Sequence, residues 1–174
     1  MNTVLDTNYF ELFGLAPRFS IDLTSLERSF RQLQAAAHPD RHVSHTQAEQ
    51  LFALQQSTMI NDGYQTLRNP SSRAQCLISL SGKSESATAL STTFLMAQME
   101  WREAIEEASA ARDMAILEAL AKRLKHKVGV QVQELASALD ERNDFGAAEV
   151  RVNELRFYEK LRVEIEDAMD RISA

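Results

Sequence analysis

Apolar and polar residues alternate with the period of a helix along almost all of the 174-residue chain. Apolar positions recur every three or four residues, and no long alternating run of Val, Ile or Thr indicates a strand. Only five Gly and three Pro interrupt the pattern. Because a surface helix buries one stripe of side chains at this spacing, the pattern predicts an all-α fold.

The first eighty residues predict two antiparallel helices braced by shorter ones. The run NYFELFGLAPR indicates a short first helix. Asp22 is a plausible N-cap for a second helix, which must end before Pro39 because proline disfavours helical geometry in the preceding residue. Thr46 and Glu49 have the spacing of a capping box and mark the start of a long third helix. The run RAQCLISL indicates a short fourth helix.

The rest of the chain predicts a second domain. Residues 81–91 are rich in Ser, Thr and Ala, which is typical of a connector. Three further helices follow, and their apolar stripes at heptad-like spacing predict an antiparallel bundle. The predicted organisation is therefore a domain at 1–80, a connector at 81–91 and a three-helix bundle at 92–174.

The first helix of the bundle carries two apolar faces. On a helical wheel, Phe94 and Trp101 lie within one narrow arc, which we interpret as the core face. Leu95, Met96 and Met99 lie on the far side. They form either a protein-binding surface or a second seam inside the bundle.

Acidic residues surround this second face, because Glu103 lies within it and Glu100, Glu106 and Glu107 flank it. An apolar stripe with a polar rim favours the protein-binding surface, and the flexible Met side chain adapts well to a partner. On the last helix, Phe157 is predicted to lie opposite the core stripe, and a single exposed aromatic of this kind is common.

Composition and charge narrow the range of functions. The net charge of −6 does not favour nucleic acid as a partner. The chain has one cysteine, Cys76, so it has neither an intrachain disulfide nor a cysteine pair for zinc or an iron–sulfur cluster. No long apolar run indicates export or membrane insertion. We therefore expect a cytoplasmic protein without a membrane segment.

The sequence AAAHPDRHVSH contains three of the four histidines. As a metal site, it would use His38, Asp40, His42 and His45, although zinc ligands usually lie on scaffolds that fix their angles. As a hydrolytic site, it would use His38 and Asp40, but no candidate nucleophile or Gly-rich phosphate loop accompanies them. A solvated polar loop is the third interpretation, and it does not explain the outward-facing arginines of the preceding helix.

Two stretches of the chain resemble the J-domain, the module that activates DnaK-class chaperones. SFRQLQAAAHPDR contains the His-Pro-Asp signature, with Phe30 and Arg31 at the family's spacing before it. INDGYQTLRNP places Asn61, Tyr64 and Leu67 after it. The segments YFELFGL, RAQCLISLSG, FLMAQMEWREAIEE and LRFYEKLR extend the resemblance to the HscB family, co-chaperones of iron–sulfur cluster assembly, over essentially the whole chain.

The resemblance implies a non-enzymatic, monomeric co-chaperone without a cofactor or metal. Its bundle would bind the scaffold protein IscU, and its J-domain would present IscU to an HscA-type DnaK-class chaperone and stimulate ATP hydrolysis there. The implied chaperone-binding residues are His38, Pro39, Asp40, Arg28, Arg31 and Arg41. The implied scaffold-binding residues are Leu95, Met96, Met99, Glu100, Glu103, Glu107 and Phe157.

Some positions depart from the J-domain pattern. Ala37 stands where J-domains have Tyr, the second helix has fewer positive charges, and Arg41 stands where many have Lys. These departures favour a specialised chaperone over a general DnaK. The alternatives are a J-protein with an unrelated client and a metal-binding protein that uses the histidine loop.

Overall fold

The computed structural model describes residues 8–37, 46–83 and 91–173. Within these ranges all regular secondary structure is helical, which confirms the predicted all-α fold. The chain divides into two compact units, Met1–Gly82 and Lys83–Ala174. Residues 84–90 of the predicted connector lie outside the described ranges. No helix in the described ranges is both long enough and apolar enough to cross a membrane.

The first unit has two main helices and two shorter ones. Its helices are α1 (Tyr9–Leu12), α2 (Leu23–Ala37), α3 (Gln47–Arg68) and α4 (Pro70–Ser81). α2 packs along α3, and both α1 and α4 pack on α3. This arrangement agrees with the predicted antiparallel pair and its bracing helices.

Local sequence signals account for the helix starts in this unit. Asp22 accepts hydrogen bonds from the Thr24 amide at 3.0 Å and from the Ser25 hydroxyl at 2.6 Å. Thr46 and Glu49 form the predicted capping box, in which the Thr46 amide donates to Glu49 Oε2 at 2.8 Å. Such caps satisfy backbone amides that have no partner within the helix.

The core of the first unit lies between α3 and its neighbours. The side chains of Phe10, Phe19, Leu26, Leu67 and Ile78 are all at most 1% exposed. Leu26 of α2 and Leu67 of α3 therefore face inward, as expected for helices that bury one stripe of apolar side chains.

The second unit is a bundle of three long helices. They are α5 (Thr92–Ala110), α6 (Met114–Ala136) and α7 (Phe145–Ser173), and a π-helical segment, Ser137–Arg142, extends α6. α7 packs against both α5 and α6, and α5 also packs against α6. The core is built from fully buried side chains such as Leu117, Leu155 and Leu161. The predicted three-helix architecture is confirmed.

Candidate functional site

One face of α5 exposes three large apolar side chains. Leu95, Met96 and Met99 are 47%, 60% and 72% exposed, and we call them the α5 stripe. On the other face of the helix, Phe94 and Trp101 are 6% and 3% exposed. The prediction that the α5 stripe lies at the surface is confirmed, and a second seam inside the bundle is excluded for these three residues. Their role in binding stays a prediction.

Carboxylates border the α5 stripe. Glu100, Glu103, Glu106 and Glu107 are all exposed. Because they follow one another along the last three turns of α5, they give the surface around the stripe a negative charge. Such a surface favours a partner that has an apolar contact and positive charges around it.

The prediction for Phe157 is wrong. It was expected on the surface opposite the core stripe of its helix, but only 7% of it is exposed. Its ring packs edge-on against Phe94, with the ring centroids 5.5 Å apart. The physical reason is that α7 packs against two helices, so two of its faces are buried rather than one.

An aromatic cluster lies directly beneath the α5 stripe. Phe94 contacts both Phe157 and Tyr158, the latter with centroids 6.0 Å apart. Arginine side chains cover the cluster: the Arg102 guanidinium lies 6.0 Å from the Phe157 ring and Arg123 lies 4.7 Å from the Trp101 ring. Each such aromatic or cation–π pair contributes roughly 0.5–1.5 kcal/mol, so these contacts stabilise the packing of α5 against α6 and α7.

The first unit presents two arginines on the outer face of α2. Arg28 and Arg31 are exposed, as predicted, and Arg31 forms an ion pair with Glu27 one turn earlier. Because Glu27 is negatively charged, it lowers the net positive charge of this face of α2. The ion pair itself contributes only about 0.3–0.5 kcal/mol to stability.

The other predicted chaperone-binding residues, His38, Pro39, Asp40 and Arg41, lie outside the described residues. The structure describes the chain up to Ala37, the last residue of α2, and again from Thr46, the cap of α3. Among the described residues, no group of three or more His, Cys, Asp or Glu side chains is arranged to hold a metal ion. The interpretation of the loop as a metal site is therefore not tested.

The residues that surround the His-Pro-Asp tripeptide hold α2 and α3 together. The rings of Phe30 and Tyr64 stack with their centroids 4.0 Å apart. The Gln34 side-chain amide donates to Asn61 Oδ1 at 2.8 Å. The spacing noted in the sequence thus corresponds to contacts across the helix pair whose ends flank the loop.

Burial raises the pKa of titratable side chains in both units of the chain. Burial raises the pKa of the Cys76 thiol, which disfavours the thiolate that would bind a metal. Burial, together with the nearby Glu154 carboxylate, raises the pKa of Tyr158. Both effects follow from the cost of placing a charge in a poorly solvated site.

The bundle contains a buried polar group that was not predicted from the sequence. Gln131 on α6 and Glu154 on α7 are each 8% exposed. The Gln131 side-chain amide donates to Glu154 Oε2 at 2.9 Å, and Arg151 donates to the same oxygen at 2.7 Å. Nothing in the spacing of either helix indicates this pairing, because it joins residues that are distant in sequence.

Comparison with known proteins places the chain in a family. A family model described as the HSCB C-terminal oligomerisation domain matches residues 90–166. The co-chaperone protein HscB homolog of Aromatoleum aromaticum is 42% identical over 173 residues, which cover 98% of each chain. The chain belongs to the HscB co-chaperone family. The HscB homolog of Chromobacterium violaceum is 45% identical over 173 residues, again covering 98% of each chain.

Solved structures of HscB proteins share the fold. Chaperone HscB from Vibrio cholerae is 36% identical, with a TM-score of 0.85 over 95% of this chain and 99% of that one. Human co-chaperone HscB is 27% identical, with a TM-score of 0.86 over 97% of this chain and 84% of that one. The predicted family and the J-domain-type fold are confirmed. The expected monomeric state stays a prediction, and the description of the matching family model names oligomerisation instead.

Proposed function

We propose that this protein is a co-chaperone of iron–sulfur cluster biogenesis that brings the scaffold protein IscU to an HscA-type DnaK-class chaperone. The bundle binds IscU, and the J-domain stimulates ATP hydrolysis by the chaperone. The protein itself catalyses no reaction and carries no cofactor. The observation that supports this proposal most strongly is the α5 stripe, because it is an exposed apolar surface with an acidic rim on a rigid helix.

Apolar burial supplies the affinity for IscU. Burying a side chain such as Leu or Met stabilises a complex by about 1.5–3 kcal/mol relative to leaving it in water. The three side chains of the α5 stripe are 47–72% exposed, so a partner that covers them gains roughly half to three-quarters of that free energy at each position. Glu100, Glu103 and Glu107 then select a partner with basic residues around its apolar contact.

Phe157 supports this interface from below. Phe157 is buried against Phe94, and Phe94 immediately precedes Leu95, the first residue of the α5 stripe. Its contribution to IscU binding is therefore to hold the first turn of α5 in place, and the contact itself is made by the exposed residues of α5.

The His-Pro-Asp loop acts on the chaperone. Asp40 supplies a carboxylate for an arginine of the chaperone, which is a charge-assisted pair, and Pro39 restricts the loop backbone next to His38. Arg28, Arg31 and Arg41 attract an acidic surface of the chaperone, and salt weakens this attraction. Because one chain holds both partners, the local concentration of IscU at the chaperone rises.

Steady-state ATP hydrolysis by a cognate HscA-type chaperone, with IscU present, tests both halves of the proposal. Asp40→Asn should abolish the stimulation. The double change Leu95→Ala/Met99→Ala should leave basal stimulation intact and remove the additional effect of IscU. Ile116→Ala is a matched control, because Ile116 is 48% exposed on α6, away from the stripe. If the wild type stimulates nothing, or if both variants match it, the proposal is wrong.

Charge reversal separates IscU from an unrelated client. Glu100→Lys/Glu103→Lys should weaken IscU binding at low salt while the helical circular dichroism signal is retained. If IscU binding is unchanged by this double reversal, the acidic rim does not select the scaffold. If the wild type itself does not bind IscU, the bundle recognises a different client.

A further inference from the structure

We propose that one face of the bundle binds the same face of a second copy of the chain, and that this dimer covers part of the proposed IscU-binding surface. We call it the α5–α6 face, and it consists of exposed residues of both helices: Met96, Glu100 and Glu103 on α5 and Arg123, Lys127 and Val130 on α6. The description of the matching family model names oligomerisation, but it names neither a surface nor an effect on the scaffold. The dimer itself is independent of the proposed function, whereas its competition with IscU rests on that function.

Contacts of two arginines show which sides of α5 and α6 form this face. Trp101 is 3% exposed and faces the core, and at about 100° per residue Arg102 and Glu100 lie on its opposite flanks. Arg102 covers the Phe157 ring of α7 at 6.0 Å, so the flank that carries Glu100 faces α6. Arg123 covers the Trp101 ring at 4.7 Å, so it lies on the side of α6 that adjoins α5.

The two helices of the α5–α6 face carry opposite charges. α5 and α6 are joined by residues 111–113 and pack together, so they run antiparallel. Glu100 and Glu103 lie about one turn apart on α5, and Arg123 and Lys127 lie about one turn apart on one side of α6. None of these four side chains forms an ion pair with another residue of the described ranges. An acidic row and a basic row therefore lie side by side, and both are available to a partner.

The pairing of opposite charges favours a second copy of the chain as the partner. A nucleic acid, an anionic membrane or an acidic peptide would be attracted by Arg123 and Lys127 but repelled by Glu100 and Glu103 on the adjoining helix. The matching surface must instead carry a basic row beside an acidic row, as the α5–α6 face itself does. A surface that is complementary to itself forms a closed two-fold dimer.

A two-fold axis parallel to the helices brings the charges into register. Rotation by 180° about an axis between α5 and α6 places α5 of the copy over α6, and it causes no shift along the helices. The contact between Arg123 and Trp101 shows that these two residues lie at the same level, and Glu100 is only about 1.5 Å further along the axis. Glu100 of the copy therefore lies between Arg123 and Lys127, and the symmetry repeats this arrangement on the other side of the dimer.

Exposed apolar side chains flank these charges. Met96 on α5 is 60% exposed, and Val130 on α6 is 41% exposed. Because the helices are antiparallel, Met96, one turn before Glu100, lies near the level of Val130, which follows Lys127. In the dimer, Met96 of one copy covers Val130 of the other. Apolar burial then supplies affinity, and the charges set the register.

The dimer and IscU compete for the same residues. Met96, Glu100 and Glu103 belong to the α5–α6 face and also to the proposed scaffold-binding residues. A copy bound at this face therefore excludes IscU, and IscU releases the monomer that the family resemblance implies. Dimerisation lowers the apparent affinity for IscU by the fraction of chain that is not free.

Sedimentation velocity of the full-length protein over a range of concentrations tests the dimer. The wild type should show a dimer whose fraction rises with concentration. Two charge reversals, Glu100→Lys/Glu103→Lys and Arg123→Glu/Lys127→Glu, should each raise the dimer dissociation constant at least about tenfold, because like charges then face each other. An equimolar mixture of the two variants should form a heterodimer, because their rows are again opposite in charge. This rescue also shows that both variants are folded.

Glu164→Lys/Asp167→Lys is the matched control. It changes the net charge by the same amount as the reversal on α5, but Glu164 and Asp167 lie on α7, where they line a cavity with Arg102 on the opposite side of α5. This variant should dimerise like the wild type. Equal dissociation of the control and of Glu100→Lys/Glu103→Lys would overturn the inference, because the effect would then be one of net charge.

Addition of excess IscU tests the competition. IscU should convert the wild-type dimer into a complex with one copy of each chain. If IscU instead binds the intact dimer, the two surfaces are not shared and the competition is wrong.

Failure of this inference is distinguishable from failure of the proposed function. If the wild type is monomeric at every concentration, or if the mixed variants do not form a heterodimer, the α5–α6 face does not pair and the inference is wrong. If the charge variants behave as expected but the wild type binds no IscU, the dimer is supported and the proposed function is wrong.

Discussion

Replacing Gly63 by alanine tests how tightly α1 packs on α3. Gly63 is buried in the middle of α3, where glycine is normally unfavourable by about 1 kcal/mol relative to alanine. A Cβ atom at this position would lie 2.7 Å from Tyr9 Cδ1 and 2.9 Å from Phe13 Cε2. Optimal carbon–carbon contacts are about 3.5–4.0 Å, so the new methyl group would overlap both rings by roughly 1 Å.

The magnitude follows from two opposing effects. Overpacking a core costs about 1–3 kcal/mol, and the ring of Phe13, which is only 3% exposed, is surrounded by other parts of the protein rather than by solvent. Because the new methyl group overlaps two rings at once, the upper part of that range, about 2–3 kcal/mol, applies. The higher helix propensity of alanine offsets about 1 kcal/mol of this cost. We therefore expect Gly63→Ala to lower the free energy of unfolding of the first unit by about 1–2 kcal/mol.

Amide hydrogen exchange measured by mass spectrometry follows each unit separately in the full-length protein. Gly63→Ala should accelerate exchange of the α3 amides about five- to thirtyfold, since about 1.4 kcal/mol corresponds to a factor of ten, and should leave α6 unchanged. Gly129→Ala is the matched control, because Gly129 is exposed on α6 and a Cβ there meets no atom within 4 Å. It should slow exchange in α6. Equal or slower exchange of α3 in Gly63→Ala would refute the packing argument.

Three further predictions concern single side chains. Met99→Ala should weaken IscU binding and change the stability of the bundle by less than about 0.5 kcal/mol. Phe157→Ala should instead destabilise the bundle by about 3–5 kcal/mol, as measured by urea unfolding followed through Trp101 fluorescence. Equal destabilisation by the two variants would contradict the difference in burial. Thr46→Ala should destabilise α3 by about 1 kcal/mol, which would appear as faster amide exchange in its first turn, and unchanged exchange there would mean that the cap contributes nothing. Burial raises the pKa of Cys76 in the folded state, so the stability contributed by the protonated thiol is complete below the unfolded pKa and is lost as the pH rises through the folded pKa. The pH profile of thiol alkylation should therefore have a higher midpoint in the native protein than in urea. Coincident midpoints would show that burial has no effect on the pKa.

The α5 stripe shows how far the candidate sites could be predicted from sequence. The wheel separated Leu95, Met96 and Met99 from Phe94 and Trp101, and the structure exposes the first three and buries the other two. This separation succeeds because α5 has one dominant buried arc, which the helical period alone locates.

The sequence by itself determined the helices and most of their ends. Caps act within a few residues of where they occur in the chain, so Asp22 and the Thr46–Glu49 box locate helix starts without any tertiary contact. The fourth helix was predicted from Arg73, and it begins three residues earlier, at Pro70. The family could also be identified at this level, because the His-Pro-Asp tripeptide and its flanking residues are contiguous motifs.

Only the tertiary structure decided how many faces of each helix are buried. Phe157 lies opposite the core stripe of α7 on a wheel, and it is buried because α7 has two neighbouring helices. The Gln131–Glu154 hydrogen bond and the close approach of Tyr9 to Gly63 likewise join residues from different helices. A helical period describes one helix alone, whereas the number and distance of its neighbours are properties of the packed unit.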